Sequence, residues 1–211
     1  MLPDANRREF FQASAFTIVP RHVLGGTAFV APSDKITLAC IGCGTQALNE
    51  IPGLLRSPDI RIVSVCDPNR HASGYRDWSP DGLLNSLRKL INKPNWLAGA
   101  ESVIPGGRDA TKDLVDTFYN SGPAAGCSSY ADYRELLAKE KDLNAVKIMT
   151  PDHLHGVACL SAMKHRKHIM LHKPIANRLL EAKAVIDGAR QSGVATHFLA
   201  WNSGQGMPQV M

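Results

Sequence analysis

Aromatic side chains are scarce in this sequence, at 6% of 211 residues, and charged residues stand at a low 20%. A chain that is 44% hydrophobic with so few charges lacks the composition of a disordered polypeptide. Its 17 glycines and 13 prolines fall short of any collagen-like pattern. Long apolar runs are missing as well, since no stretch approaches the ~18 residues that a bilayer-spanning helix requires. Cysteine is sparse: Cys40, Cys43, Cys66, Cys127 and Cys159 form an odd set without the spacing of a small secreted disulfide scaffold. Cys40 and Cys43 make a CxxC, but no second pair completes a zinc site, and packing is the expected role of these thiols. Blocks of one-signed charge are also absent. The net charge of +5 is spread among acidic neighbours, so a nucleic-acid partner is not expected, whereas a mild positive field attracts anionic cofactors. What remains is a soluble, globular chain with length for one proper core and a small appendage.

Residues 1–34 stand apart as a leader. Asn6, Arg7, Arg8, Glu9, Phe10 and Phe11 resemble a twin-arginine export signal, and the short apolar patch after them is closed by Pro20 and Arg21. Two readings stay open: periplasmic export through a functional leader, or a degenerate leader and cytoplasmic residence.

From Lys35 onward the pattern is regular. Ile36, Leu38, Cys40 and Ile41 predict a short strand that stops at a glycine turn, residues 46–56 predict a helix, and residues 60–66 a second β-branched run ending in Asp67. Strand, turn, helix and strand make a βαβ unit, whose strands run parallel. Residues 68–128 break the rhythm and read as an insertion, with helices near 83–91 and 111–119 and a loop at Pro105, Gly106 and Gly107. Regularity returns at Tyr130. A helix capped by Asp132 leads to a strand at 145–149, a helix over 155–164 to a strand at 168–171, and a helix over 179–191, closed by Gly193, to a last strand at 194–200. Five or six strands alternating with helices predict an α/β fold, a doubly wound parallel sheet of Rossmann type, over residues 35–204, with 205–211 as a tail.

Gly42, Cys43, Gly44, Thr45, Gln46 and Ala47 form a GxGxxA between a predicted strand and helix. The first glycine permits the tight turn, the second lets backbone amides approach a diphosphate, and Ala47 keeps helix and strand close. The helix then turns its free amides to the phosphate. Asp67, at the end of the second strand, suits the ribose hydroxyls and favours NAD over NADP, while Arg70 nearby could instead pair with a 2′-phosphate. Two more motifs follow later strands, at the carboxyl ends where open α/β sheets bind ligands: Thr150, Pro151, Asp152, His153, Leu154 and His155, then His172, Lys173 and Pro174.

Together with Cys66-Asp67-Pro68 and the helix start at residues 130–137, these motifs resemble the Gfo/Idh/MocA oxidoreductases over roughly residues 35–200. That family oxidises or reduces sugars and cyclitols with NAD(P). The resemblance implies cofactor contacts for Thr150, Pro151 and His155 and places His172 and Lys173 at the cofactor, with Lys173 catalytic or cofactor-orienting. An ammonium there could stabilise developing alkoxide charge or pass a proton. Family members commonly carry Glu where this chain has His172, which removes a partner for the lysine charge. They also continue into a substrate domain, which is expected to be missing here. The implied partners are a nicotinamide dinucleotide and a sugar-like molecule, with homo-oligomers as a further expectation.

Three rivals compete with this reading. His153, His155, His165, His168 and His172 could suggest zinc, but their predicted positions on a turn, a helix end and a strand scatter their directions, so no metal site is expected. A SAM-dependent methyltransferase also uses a glycine loop and a second-strand acid, yet leaves His172-Lys173-Pro174 unexplained. A non-catalytic dinucleotide-binding fragment is the third.

Overall fold

The computed structural model describes residues 34–75, 82–99, 104–120 and 126–199. The chain divides into two units, Met1–Lys35 and Ile36–Met211. The twin-arginine-like stretch and the tail at 205–211 lie outside the described residues.

Six parallel strands make the main sheet: β1 (Ile36–Ile41), β2 (Ile60–Cys66), β5 (Ser128–Tyr130), β6 (Ala145–Ile148), β7 (His168–His172) and β8 (Thr196–Leu199). Their spatial order is β5-β2-β1-β6-β7-β8. Numbered within this sheet alone that is 3-2-1-4-5-6, the doubly wound order whose direction of winding reverses beside the first strand. A small antiparallel ribbon pairs β3 (Ala72–Tyr75) with β4 (Ile104–Gly106). The helices are α1 (Thr45–Arg56), α2 (Leu83–Leu90), α3 (Arg108–Tyr119), α4 (Tyr133–Lys139), α5 (His155–Lys164) and α6 (Leu179–Ser192), with a single 3-10 turn at Asp152–Leu154.

Helices on both faces bury the strands twice over, which explains why they read as nearly unbroken apolar runs. Along β1, Leu38 and Cys40 point into one core with Leu48 and Ile51 of α1, Leu87 of α2 and Leu114 of α3. Ala39 and Ile41 point into the other, with Leu136 of α4, Ala158 and Cys159 of α5 and Val185 of α6. This alternation is the period of a strand, and each fully buried Leu or Ile contributes about 1.5–3 kcal/mol.

The segment expected as an insertion is only partly one. Helix α3 packs on β2 and β5, with Leu114 and Val115 essentially inaccessible. Strand β5, which the apolar pattern does not announce, adds to the outer edge of β2. Its three residues, Ser128, Ser129 and Tyr130, are half-buried and therefore lack the hydrophobic signature of the central strands. Of the caps, Asp132 accepts the Arg134 amide at the start of α4, and Gly193 closes α6 in the left-handed region with φ +67°.

Candidate functional site

The reversal point of the sheet lies between β1 and β6, and the chain is pressed together there. Gly42 leaves β1 with φ +95°, a region that favours glycine. Its amide donates to Cys66 O at 2.8 Å, while the Met149 amide donates to Ile41 O at 2.8 Å. A Cβ on residue 42 would stand 2.6 Å from Met149 O, a backbone atom that cannot swing away. The glycine therefore serves both the bend and the close approach of the β6 tip.

Around this bend Gly42, Cys43, Gly44, Thr45, Gln46, Asp67, Met149, Thr150 and Pro151 line a cleft of about 230 Å³. Six of the expected cofactor positions, Gly42, Gly44, Thr45, Gln46, Thr150 and Pro151, thus share one wall system with Asp67. Ala47 is fully buried beneath them, against the core. Helix α1 opens into the cleft with Gly44 as its cap residue, which gives no side-chain cap to its first amides. Thr45 is 3% exposed, and its hydroxyl oxygen, like that of Thr150, is buried without a hydrogen-bond partner. A buried hydroxyl left unpaired costs about 1–3 kcal/mol, so two of them on residues that line one cleft call for an acceptor.

Asp67 is more occupied than the sequence implies. Oδ2 accepts the Cys43 amide and Oδ1 the Asn69 amide, both at 2.9 Å. The carboxylate thereby ties the glycine loop to the end of β2, and the residue also lines the cleft. Arg70 stands apart, exposed, with Nε on Asp109 Oδ2 at 3.1 Å, an oxygen that His71 also reaches at 3.2 Å.

Two residues that the sequence motifs do not assign to the site complete this corner. Gly107, with φ +98°, donates its amide to Cys43 O at 2.8 Å, and a Cβ there would stand 2.7 Å from Arg70 O. Arg108 donates through Nη1 to Asp67 O at 2.9 Å and Pro68 O at 2.8 Å. The Pro105-Gly106-Gly107 run signals a loop; only the fold brings that loop against the glycine bend.

The later tips are organised by His155 and His172. The His155 ring does not line the cleft as a cofactor contact would. It is 1% exposed, with Nδ1 2.5 Å from Pro174 O and Nε2 2.8 Å from Thr150 O. Carbonyl oxygens only accept, so whichever nitrogen carries a proton donates it to one of these two turns; the ring clasps the turn after β6 to the turn after β7. His172 turns inward, Nε2 3.0 Å from Glu50 Oε1, and Lys173 is exposed at the end of β7, before a cis peptide bond to Pro174.

Glu50 and Lys147 are the larger omission. Lys147 lies on β6 with 4% of its side chain exposed, Nζ 2.5 Å from Glu50 Oε2. A lysine inside an apolar strand run must find a partner, and that is the signal the run Ala145-Val146-Lys147-Ile148 carried. Burial acts to raise the Glu50 carboxyl, but hydrogen bonds from Lys147 and Gln46 and the Lys147 and His172 charges together hold it below the ordinary carboxylate range.

The thiols are chemically quiet. All five cysteines are buried and unpaired, and burial pushes Cys40, Cys66 and Cys159 up to about 12. Burial and then the Asp67 charge raise Cys43. The histidines go separate ways: His165 Nδ1 lies on Ser161 O in its own helix, and His168 Nδ1 accepts the Ala195 amide. Among the described residues no three His, Cys, Asp or Glu side chains converge on a point, and no helix is long and apolar enough to cross a membrane.

Comparison with known proteins bears on the same elements. Residues 112–199 match the oxidoreductase family with an NAD-binding Rossmann fold, Gfo/Idh/MocA. A stretch of 75 residues is 33% identical to levoglucosan dehydrogenase of Pseudarthrobacter phenanthrenivorans, covering 36% of this chain and 19% of that protein. Another comparison, with 1,5-anhydro-D-fructose reductase of Ensifer adhaerens, gives 35% identity over 60 residues, 28% of this chain and 18% of the relative. The chain thus spans about a fifth of the length of these curated relatives. Among solved structures, an oxidoreductase from Agrobacterium radiobacter in complex with NAD+, L-tartaric acid and magnesium superposes with a TM-score of 0.52 at 19% identity, over 78% of this chain and 35% of that one. A dehydrogenase from Chromobacterium violaceum gives 0.51 at 20% identity, over 78% and 35%. These likenesses establish the fold.

Proposed function

We propose, from the match of residues 112–199 to the Gfo/Idh/MocA oxidoreductase family, that the cleft at the sheet's reversal point binds a nicotinamide dinucleotide for oxidation or reduction of a sugar-like substrate. The observation that carries this reading is the unpartnered Thr45 hydroxyl at the start of α1, in the cleft beside the Gly42 bend. Amides of a helix N-terminus and a hydroxyl donor fit a diphosphate, because the partial positive charge there favours an anion. The cofactor would supply hydride transfer. This chain's own residues would bind and orient it, with Thr45 on the diphosphate and Thr150 and Pro151 along the cleft wall. Lys173, at the tip of β7, is the residue best suited to hold or pass a proton at a substrate oxygen.

NAD is favoured over NADP on two grounds. The Asp67 carboxylate in the cleft repels a 2′-phosphate, and the Arg70 guanidinium that could have received one is engaged by Asp109. The sugar class rests on the names of the relatives, a levoglucosan dehydrogenase and a 1,5-anhydro-D-fructose reductase. Calorimetric titration of the folded chain with NAD+ and NADP+ tests the reading. Saturable heat with NAD+, weaker with NADP+, is expected, and no heat with either overturns it. A panel of sugars and anhydrosugars, followed by absorbance of the reduced nicotinamide, then decides whether this chain turns substrate over or binds only.

A further inference from the structure

Lys147 would be fully neutralised by a carboxylate offering one oxygen. Glu50 gives it Oε2 at 2.5 Å and keeps Oε1 for two other groups: Gln46 Nε2 donates to it at 2.5 Å, and His172 Nε2 stands 3.0 Å away. Gln46, one helical turn before Glu50 on α1, lines the cleft at the glycine bend. His172 ends β7 and is the chain neighbour of Lys173. Because a carboxylate oxygen only accepts, the short approach requires a proton on Nε2, and the Nδ1 contact to Lys173 O, at 3.4 Å, is too long to compete for it.

We infer that Glu50 is a positioning residue of the cofactor site, which joins the glycine-loop helix to the His172–Lys173 turn by holding Gln46 and His172 on a single carboxylate oxygen, with buried Lys147 anchoring the other. The inference deepens the dinucleotide reading and rests on it. The helix whose N-terminus takes the diphosphate then also sets the turn that carries Lys173. Nothing about a merely structural Lys147–Glu50 pair demands a fixed imidazole tautomer or a response to cofactor.

The test uses the full chain with 15N-labelled histidine, the His172 signals being identified by their loss in His172→Asn. The wild type should show His172 with a proton held on Nε2. Glu50→Gln should show exchanging tautomers, and its NAD+ dissociation constant by calorimetry should rise about threefold to tenfold, as loss of one hydrogen bond's net contribution gives. Because Glu50→Gln strands the Lys147 cation and can unfold the protein, the double variant Glu50→Gln/Lys147→Met, which leaves no unpaired charge, is measured beside it and decides the matter if the single variant fails to fold. A wild-type tautomer pattern, or an unchanged NAD+ affinity, in the folded variant overturns the inference. Absence of NAD+ binding in the wild type itself is a different result and removes the dinucleotide reading first.

Discussion

Thr45 separates ligand binding from stability. Its hydroxyl is buried and unpaired, so Thr45→Val removes a polar atom that contributes nothing to the unliganded fold. We expect the unfolding free energy in urea to hold within about 1 kcal/mol or to rise. The NAD+ dissociation constant should increase about tenfold or more, the worth of a hydrogen bond to a charged group. Equal affinities in calorimetry would remove the hydroxyl from the diphosphate site. Glu50 makes the complementary case, a residue paired before any ligand arrives. Its folded carboxyl is held below the ordinary 4.5, so the unfolded chain takes up the proton more readily. The stabilisation is therefore complete above about 4.5 and is lost as the pH falls through the lower folded value. Glu50→Gln should cost about 3 kcal/mol near neutral pH, and the gap from wild type should close on acidification below about 4.5. A gap independent of pH in denaturation series would show that the carboxylate is not ionised against Lys147.

At the scale of elements, the bend between β1 and α1 is the most constrained piece of backbone. Gly42→Ala places a Cβ 2.6 Å from Met149 O at φ +95°, and both the clash and the backbone conformation act against it. A loss of at least about 1–3 kcal/mol is expected in chemical denaturation, together with loss of NAD+ heat, because the β6 tip must retreat from the cleft. Retained stability would mean that the close approach is not needed. This bend was legible in the sequence, since Gly42, Gly44 and Ala47 follow one apolar strand run and open a helical one, the setting in which the pattern marks a strand–turn–helix. The caps at Asp132 and Gly193 were legible for the same reason: local chemistry alone selects them. Strand β5 was not, because an edge strand of two serines and a tyrosine has neither the period nor the apolarity that marks a strand. Gly107 against Arg70, and Glu50 against Lys147 and His172, were hidden for another reason. Their partners are distant in sequence, and no spacing rule records which strand tips a fold brings together. His155 was expected as a cofactor contact, and its contacts with two backbone carbonyls were not legible, since a motif names a position and says nothing of whether the ring faces ligand or backbone.

The Ile36–Met211 unit holds its cleft at the reversal of one sheet, with walls from β1, α1, β2 and the β6 tip, so occupancy must be felt by the unit as a whole. A ligand that binds only the native state stabilises it by RT ln(1 + [L]/Kd), about 2.7 kcal/mol at a hundredfold excess over Kd. For a chain of this size that corresponds to a rise in Tm of roughly 5–10 °C. NAD+ should produce such a shift, growing by a constant step for each tenfold increase in concentration. NADP+ at equal concentration should produce a smaller one, because its 2′-phosphate meets the Asp67 carboxylate while Arg70 stays on Asp109. The order should invert in Asp67→Ala/Asp109→Ala, which removes the repelling acid and frees the guanidinium. Asp67 also accepts the Cys43 and Asn69 amides, so the double variant will melt lower without any cofactor, and each shift must be read against its own unliganded baseline. Equal NAD+ and NADP+ shifts in the wild type would show that this corner of β2 does not choose the cofactor.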